Sequence, residues 1–515
     1  MEGTSTNKSK PIPGARPLSS LKRRGQECLG KIILAPMVRG SELAFRSLVR
    51  KNGINQCYSP MLRATEIVKA HQVYKAAREE SRKCQTSLRL DQVLSQVTHE
   101  DGKLLLTDIL FDKEPLTVQI CGCCPATLQA AIHALMELQH SSTSTTIDSS
   151  IQISTSRNTE SRAHQLFQPQ PHIVGIDLNL GCPQSCALHG NFGAFLAEKD
   201  PHLAIQCVQA MKQALDESFA EGHSQQLQRP QLSCKIRLRE TYDETLDFAT
   251  QLIQAGCQIL AIHCRHRVEK HNGHPDLDTG RRLVHELSIP VIVNGCIVHS
   301  LDDVENALMD MGHSCQQDDN GIDGHRTTST IHGIMIGRKL LENPKLFTHP
   351  NAEPAFLAAE YLDCVERYPP PSPLYIQKHL RWIFRPFLDI QSHPKPLASS
   401  RKEHAKLMQS QIQLPQSRDY SDWRCRLWTF LVRPFLTTLG QFRQIVCLYV
   451  RLSGSKMPPS LTFMPEPTFK SIRHAQNEKN TRTCGKVIGS HACDENEEKR
   501  TEDESSNEMI IHLFQ

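Results

Sequence analysis

Ile173-Val-Gly-Ile-Asp-Leu-Asn-Leu180, running straight into Gly181-Cys182-Pro183-Gln184, is a near-continuously apolar run of strand length that ends in a turn. A strand buried on both faces reads this way, whereas a half-solvated strand alternates. Similar runs lie at Lys31–Pro36, Gln56–Met61, Leu116–Cys121, Leu232–Leu238, Ile259–Cys264, Pro290–Gly295 and Gly333–Arg338. Helix-period segments lie between them, among them Ser41–Lys51, Ala126–Leu138, Pro201–Leu215, Tyr242–Ala255, Thr279–Leu287, Ser300–Met309 and Lys339–Leu346. Eight strand–helix units predict an α/β fold, a (β/α)8 TIM barrel. The competitor is an open doubly wound sheet. No G-x-G-x-x-G follows the first strand, which counts against its dinucleotide-binding form.

The chain has 515 residues, room for a large barrel and a smaller module. Its hydrophobic fraction of 39% is low for a chain folded throughout, so part should be tail or loop. No apolar run approaches the ~18 residues of a membrane helix, and the N-terminus carries no apolar h-region. The expectation is no membrane partner. Nineteen scattered cysteines do not form a disulfide pattern and fit a reducing compartment. Cytoplasmic or nuclear localisation follows, with an organellar address left open by the basic N-terminus.

Four regions are expected: a disordered basic leader (1–28), the barrel (29–350), a smaller all-helical domain (351–455) and a disordered acidic tail (456–515). Segments 85–113, 140–170 and 312–329 read as polar insertions, hence mobile surface loops. Over residues 371–456, fourteen Lys and Arg face four acids, a local net charge of +10. That excess suits an RNA backbone. Tyr375, Trp382, Trp423 and Trp428 could stack on bases, although aromatics at helical spacing more often fill a core.

Ligands bind a TIM barrel at the carboxyl ends of its strands. Polar or special residues recur there: Pro36-Met37 after the first strand, Gln119 on the third, Asn179 and Cys182 at the fourth, Lys235 on the fifth. His263 and Arg265 follow on the sixth, Asn294-Gly295 on the seventh and Gly337-Arg338 on the eighth. The last two pairs suit a phosphate, since glycine lets backbone N–H groups approach and arginine adds charge. A lysine inside a barrel calls for an anionic partner, for which a reduced flavin would serve. Gln119 can donate and accept at the edge of a pyrimidine-like ring. Zinc spacing is not met by Cys182, Cys186 or Cys121-Gly-Cys-Cys124, so no metal is expected.

Several stretches together resemble the tRNA-dihydrouridine synthases, with the eukaryotic branch acting at tRNA positions 16/17 nearest. They are Leu34-Ala-Pro-Met-Val38, Ser41-Glu-Leu-Ala-Phe-Arg46, Cys57-Tyr-Ser-Pro-Met61, Val118-Gln-Ile120, Asp177-Leu-Asn-Leu-Gly-Cys-Pro-Gln184, Gly190-Asn-Phe-Gly-Ala-Phe-Leu196, Cys234-Lys-Ile-Arg237, Asn294-Gly-Cys-Ile297 and Leu341-Glu-Asn-Pro-Lys-Leu-Phe347. The resemblance is dense over about residues 30–350 and loose after 373. It implies an FMN enzyme that uses NADPH to reduce uridine in the tRNA D-loop to 5,6-dihydrouridine. It implies FMN contacts from Pro36, Met37, Val38, Gln119, Lys235, His263, Asn294, Gly295, Cys296, Gly337 and Arg338, and makes Cys182 the catalytic acid. A thiol of ordinary pKa, about 8.5, is protonated at neutral pH and can supply the proton uracil C5 needs after hydride reaches C6. Cys186 is the competing donor. Two departures from the family pattern stand out. His263-Cys264-Arg265-His266 replaces His-Gly-Arg-Thr, and Leu188-His189 replaces a basic pair. Two other functions remain as rivals: a flavin oxidoreductase acting on a small molecule, and a non-catalytic tRNA-binding protein of the same fold.

Overall fold

The computed structural model describes residues 28–86, 88, 90–141, 151–152, 166–167, 172–220, 228–270, 272–312, 331–388, 431 and 438–462. The leader up to residue 27, nearly all of the 140–170 and 312–329 segments, Trp423, Trp428 and the tail beyond 462 lie outside these residues.

Eight strands form the barrel: β1 (Ile32–Leu34), β2 (Gln56–Tyr58), β3 (Leu116–Cys121), β4 (Ile173–Leu180), β5 (Gln231–Leu238), β6 (Ile259–His266), β7 (Val291–Asn294) and β8 (Ile331–Ile336). Each pairs in parallel with the next, and β8 returns to β1, with Ile32 opposite Ile334. The sheet is therefore closed and has no exposed edge. Around it run α1 (Leu43–Lys51), α2 (Ala64–Lys83), α3 (Pro125–Ser141), α4 (Pro201–Ser218), α5 (Tyr242–Gln254), α6 (Leu277–Glu286), α7 (Leu301–Asp310) and α8 (Arg338–Glu342). Local chemistry sets several starts. Thr241 with Glu244 and Ser300 with Asp303 form reciprocal capping boxes for α5 and α7. Asp200 caps α4 with Pro201 in the first turn, where a missing N–H costs nothing.

Side chains alternate along each strand. Ile176, Leu178, Cys234, Ile236, Leu260 and Ile262 join the large core between barrel and helices. Ile33, Ala35, Tyr58, Ile259, Ala261, Ile292 and Met335 form a separate, smaller cluster. This two-sided burial produces the near-continuous apolar runs. The amino end of the barrel is incompletely filled, with a cavity of about 340 Å³ between Tyr58, Thr117, Ser233, Ile259, Ile292 and His332.

Segment 85–113 is not a mobile surface loop. It contains short helices at Leu90–Gln96 and Glu100–Leu104 and a π-helical turn at Leu105–Ile109. Leu90, Val93, Leu104, Leu105, Leu106 and Ile109 are buried. Two of its acids neutralise a cation of α1: Arg46, fully buried, bonds Asp108 at 2.8 Å and Asp112 at 2.6 Å, and Arg50 reaches Asp112 at 2.8 Å. The polar residues that made the segment look solvated either face water or satisfy this buried charge. The 20-residue helix α2, which the sequence reading omitted, occupies the same side. Arg338 is also displaced from its expected place: β8 ends at Ile336, and Arg338 opens α8.

After the barrel come α9 (Pro354–Arg367), α10 (Pro373–Phe384) and α11 (Leu439–Ser453). Helices α9 and α10 dock on α1 through a buried polar cluster. Tyr361 donates to Glu42 at 2.9 Å, His379 Nε2 lies 2.8 Å from the same carboxylate, and Phe45 stacks on the His379 ring at 4.4 Å. Burial opposes the Glu42 charge, yet His379 and Tyr361 hold its carboxyl below the ordinary range. Tyr375 is core, not a stacking platform. Trp382 is partly buried, with the Arg385 guanidinium 4.9 Å from its ring centre. Residues 456–462, read as the start of the tail, end in a short turn with Leu461 buried.

Candidate active site

The strand register puts the polar side chains of neighbouring strands into rows. Gln119 stands opposite Asp177, and Asp177 opposite Ser233. Two residues nearer the carboxyl end, Asn179 faces Lys235. Beyond these, Arg237 faces His263, and His263 faces Asn294. All these side chains lie on the face opposite to the outward apolar residues.

A continuous hydrogen-bond chain joins the first two rows. Ser233 donates to Asp177 at 2.7 Å, the Gln119 amide nitrogen donates to the other Asp177 oxygen at 2.8 Å, and Asn179 donates to the Gln119 carbonyl at 2.8 Å. Gln119 is thus fixed with a known amide orientation. Burial raises the Asp177 carboxyl to about 6. Sequence reading assigned no role to Asp177, Ser233 or Arg237. The available signal was a charge or hydroxyl at inward positions of otherwise apolar strands.

Lys235 donates to the Asn294 side-chain oxygen at 3.1 Å, and Asn294 donates to the Met335 carbonyl at 2.8 Å. Asn294 is therefore committed to orienting the lysine. Burial, with Arg237 nearby, lowers the Lys235 ammonium to about 8. Arg265 Nη1 lies 3.2 Å from His263 Nε2, and a Cβ on Gly295 would come within 3.2 Å of the same guanidinium. Position 295 has no room for a side chain: at φ +122 its backbone lies directly against Arg265, Pro275 and His263. Gly337 lies against Met37, bringing the ends of β8 and β1 together. Arg338 is exposed there; partial burial, Arg265 and Arg385 lower its pKa. Val38 is half exposed at the rim, and its carbonyl accepts from Lys378 at 2.5 Å. Cys296 packs partly against the outer core, and burial raises its thiol to about 11.

Cys182 is held on several sides. Its N–H donates to the Asn179 side-chain oxygen at 2.9 Å, and its carbonyl accepts from Ala194 at 3.1 Å. Arg237 Nε donates to the preceding carbonyl of Gly181 at 2.8 Å. Gly193, at φ +64, passes so close that a Cβ there would lie 2.8 Å from the Cys182 carbonyl oxygen. The thiol hydrogen-bonds to Cys186, which together with burial pushes its pKa well above the usual thiol value. A protonated sulfur on a fixed backbone can donate a proton at a defined point.

Cys264 does not intrude on the site. It is fully buried and points outward, so close to α6 that a Cβ on Gly280 would lie 2.6 Å from its sulfur. The glycine in α6 accommodates the cysteine of β6. Gly280→Ala alone should destabilise by about 1–3 kcal/mol through overpacking. In a Cys264→Ala background the same change should be neutral or stabilise by up to about 1 kcal/mol, as helix propensity favours alanine. Urea unfolding of the four variants reads the sign change directly. Leu188 and His189 are exposed on the short helix Ser185–His189.

Among the described residues no helix is long and apolar enough to cross a membrane, and no group of three or more His, Cys, Asp or Glu could hold a metal ion.

The family model described as Dihydrouridine synthase (Dus) matches residues 33–148 and 132–416. The chain is 29% identical over 351 residues to the tRNA-dihydrouridine(16/17) synthase [NAD(P)(+)]-like protein of Mus musculus, covering 68% of this chain and 54% of that one. It is 25% identical over 395 residues to the tRNA-dihydrouridine(16/17) synthase [NAD(P)(+)] of Schizosaccharomyces pombe, covering 73% and 75%. The human tRNA-dihydrouridine(20a/20b) synthase [NAD(P)+]-like protein is 27% identical over 331 residues, covering 64% and 75%. The chain spans somewhat over half the length of the mouse and rat relatives it matches. With a family match running from the first barrel strand past α10, the chain belongs to the dihydrouridine synthase family.

Proposed function

We propose that this chain reduces uridine in the D-loop of tRNA to 5,6-dihydrouridine, with FMN as cofactor and NADPH as reductant, at positions 16 and 17. The observation that carries the reading is the Cys182 thiol, kept protonated, on a backbone fixed by Asn179, Ala194 and Arg237 at the end of β4. The printed names of the mouse and fission-yeast relatives support the substrate and the nicotinamide reductant for those proteins.

The donor set suits FMN. Lys235, Arg265 and Arg338 present cations at one end of the barrel, while Asp177 lies deeper. Lys235 would face the ring: it is buried beside Arg237 with the neutral Asn294 as its hydrogen-bond partner, and an anionic flavin would supply further counter-charge. Gln119, held by Asp177 and Asn179, would meet the pyrimidine-like edge. Gly295, Arg265, Gly337 and Arg338 would hold the phosphate, with Pro36, Met37, Val38, His263 and Cys296 around them. When bound, the flavin supplies hydride chemistry. The protein's own contribution is to orient the base and to deliver the Cys182 proton to uracil C5. Lys378 and Arg381 of α10, both half-buried, and the exposed Arg385 just after it would add positive charge for a polyanion.

The purified protein should be yellow and release FMN, not FAD, on denaturation. Arg338→Ala should weaken FMN retention by roughly 1.5–3 kcal/mol, the worth of a charge-assisted hydrogen bond. A colourless protein that cannot be reconstituted with FMN overturns the reading.

A further inference from the structure

Cys186 is a second thiol that the proposed chemistry does not use. It lies four residues after Cys182, on the second residue of the short helix Ser185–His189. The two thiols lie near enough for each to shift the other's pKa, and both pack against one small cluster with Met61, Phe192 and Phe195. Cys186 is partly exposed.

We propose that Cys182 and Cys186 form a peroxide-oxidisable dithiol that closes to a disulfide across the Gly-Cys-Pro turn. The hydrogen bond from Cys182, with Arg63 nearby, lowers Cys186 to about 7, while Cys182 is driven up. The shared proton draws thiolate character toward Cys186, the thiol on the short helix, which acts as the nucleophile. It attacks one oxygen of a hydroperoxide, the O–O bond breaks, the leaving alkoxide or hydroxide takes a proton, and Cys186 becomes a sulfenic acid. Cys182 then attacks that sulfur. The S–O bond breaks, and the thiol proton leaves with the hydroxyl as water. Two thiols are oxidised by two electrons and the peroxide is reduced by two. An external dithiol reverses the step.

The backbone permits the closure. The segment 182–184 is not helical, so the two sulfurs are not confined to the spacing of a regular helix. Cys182 is pinned, so the motion falls on Cys186 and its five-residue helix. Of the neighbouring cysteines, Cys121 is buried with a strongly raised pKa, and Cys123 donates to the Gly190 carbonyl at 3.7 Å. Cys124 is exposed with a lowered pKa and serves as an internal comparison. If the function proposed above is right, closure removes the proton donor and gives a reversible block of uridine reduction.

The test uses the full-length protein with its cofactor, treated with hydrogen peroxide, alkylated under denaturing conditions and digested with trypsin. No Lys or Arg lies between Arg162 and Lys199, so one peptide carries both cysteines and no others. The expected result is loss of label at both positions, a peptide lighter by two hydrogens, and full recovery after dithiothreitol. Cys182→Ser should send Cys186 on to sulfinic acid, because the resolving thiol is gone. Cys186→Ser should leave Cys182 alkylatable at doses that close the pair in the parent. The proposal is overturned if Cys182 still alkylates when Cys186 is oxidised, or if both stay reduced while Cys124 is consumed. These labels do not depend on catalysis. Failure of the untreated protein to reduce tRNA would count against the proposed function, and the dithiol would still be judged on its peptide.

Discussion

Cys182→Ala should lower the rate of uridine reduction in tRNA by about 10²–10⁴, the range expected when a general acid is lost. Flavin binding and flavin reduction by NADPH should be unchanged, since neither uses the thiol. The separation is sharp because the backbone around Cys182 is held by groups other than its side chain: Asn179, Ala194 and Arg237 all contact main-chain atoms. Alanine should keep that geometry and lose the proton. Cys186→Ala is the control. Removing its hydrogen bond lets the Cys182 pKa fall toward the ordinary thiol value, about 8.5, which still leaves a protonated sulfur at neutral pH. Single-turnover flavin reoxidation by tRNA reads both variants. Fast reoxidation in Cys182→Ala, with none in Cys186→Ala, would reassign the acid.

The largest expected effect on stability is at Arg46. Arg46→Met should cost about 3–5 kcal/mol in denaturant unfolding, the penalty for breaking a buried ion pair from one side. Arg46 is completely buried, and burial opposes its charge, but Asp108 and Asp112 raise its pKa. Methionine fills much of the volume and leaves two carboxylates without their main counter-charge. Asp108 would suffer most, since burial already lifts it to about 6 even with Arg46 present. Adding Asp108→Asn should recover part of the loss, because it removes one stranded charge while Asp112 keeps Arg50, and the cost lies in the stranded charge and not in the missing contact. Recovery of nothing would place the effect in packing.

The barrel was legible because its strands are buried on both faces. Ile173–Leu180 and Leu116–Cys121 were read with the bounds they have in the fold. The short strands were less legible: β1 has three residues, and nothing local separates its end from the loop that follows. Segment 85–113 was misread because composition averages over its two faces. Its leucines serve the core, and its acids serve a cation sixty residues earlier in the chain, a relation no local window contains. The candidate site was read as residue types at strand ends. Its wiring was not, since only the register puts Gln119 beside Asp177 and Lys235 beside Asn179. The Cys264 departure could not be placed from the motif alone; the strand's alternation puts it on the outer face, against Gly280.

The buried Glu42 carboxylate bears on the order in which the chain can mature. Its partners Tyr361 and His379 lie 319 and 337 positions further along. During synthesis α1 leaves the ribosome long before either exists. Until they arrive, Glu42 must stay hydrated, and α1 cannot settle fully in its final place without stranding a charge. The closure of β1 against β8 has the same long reach. Such contacts repay loop-closure entropy only at the end, so the first helix made is among the last to be locked, and the nascent barrel spends most of its synthesis open.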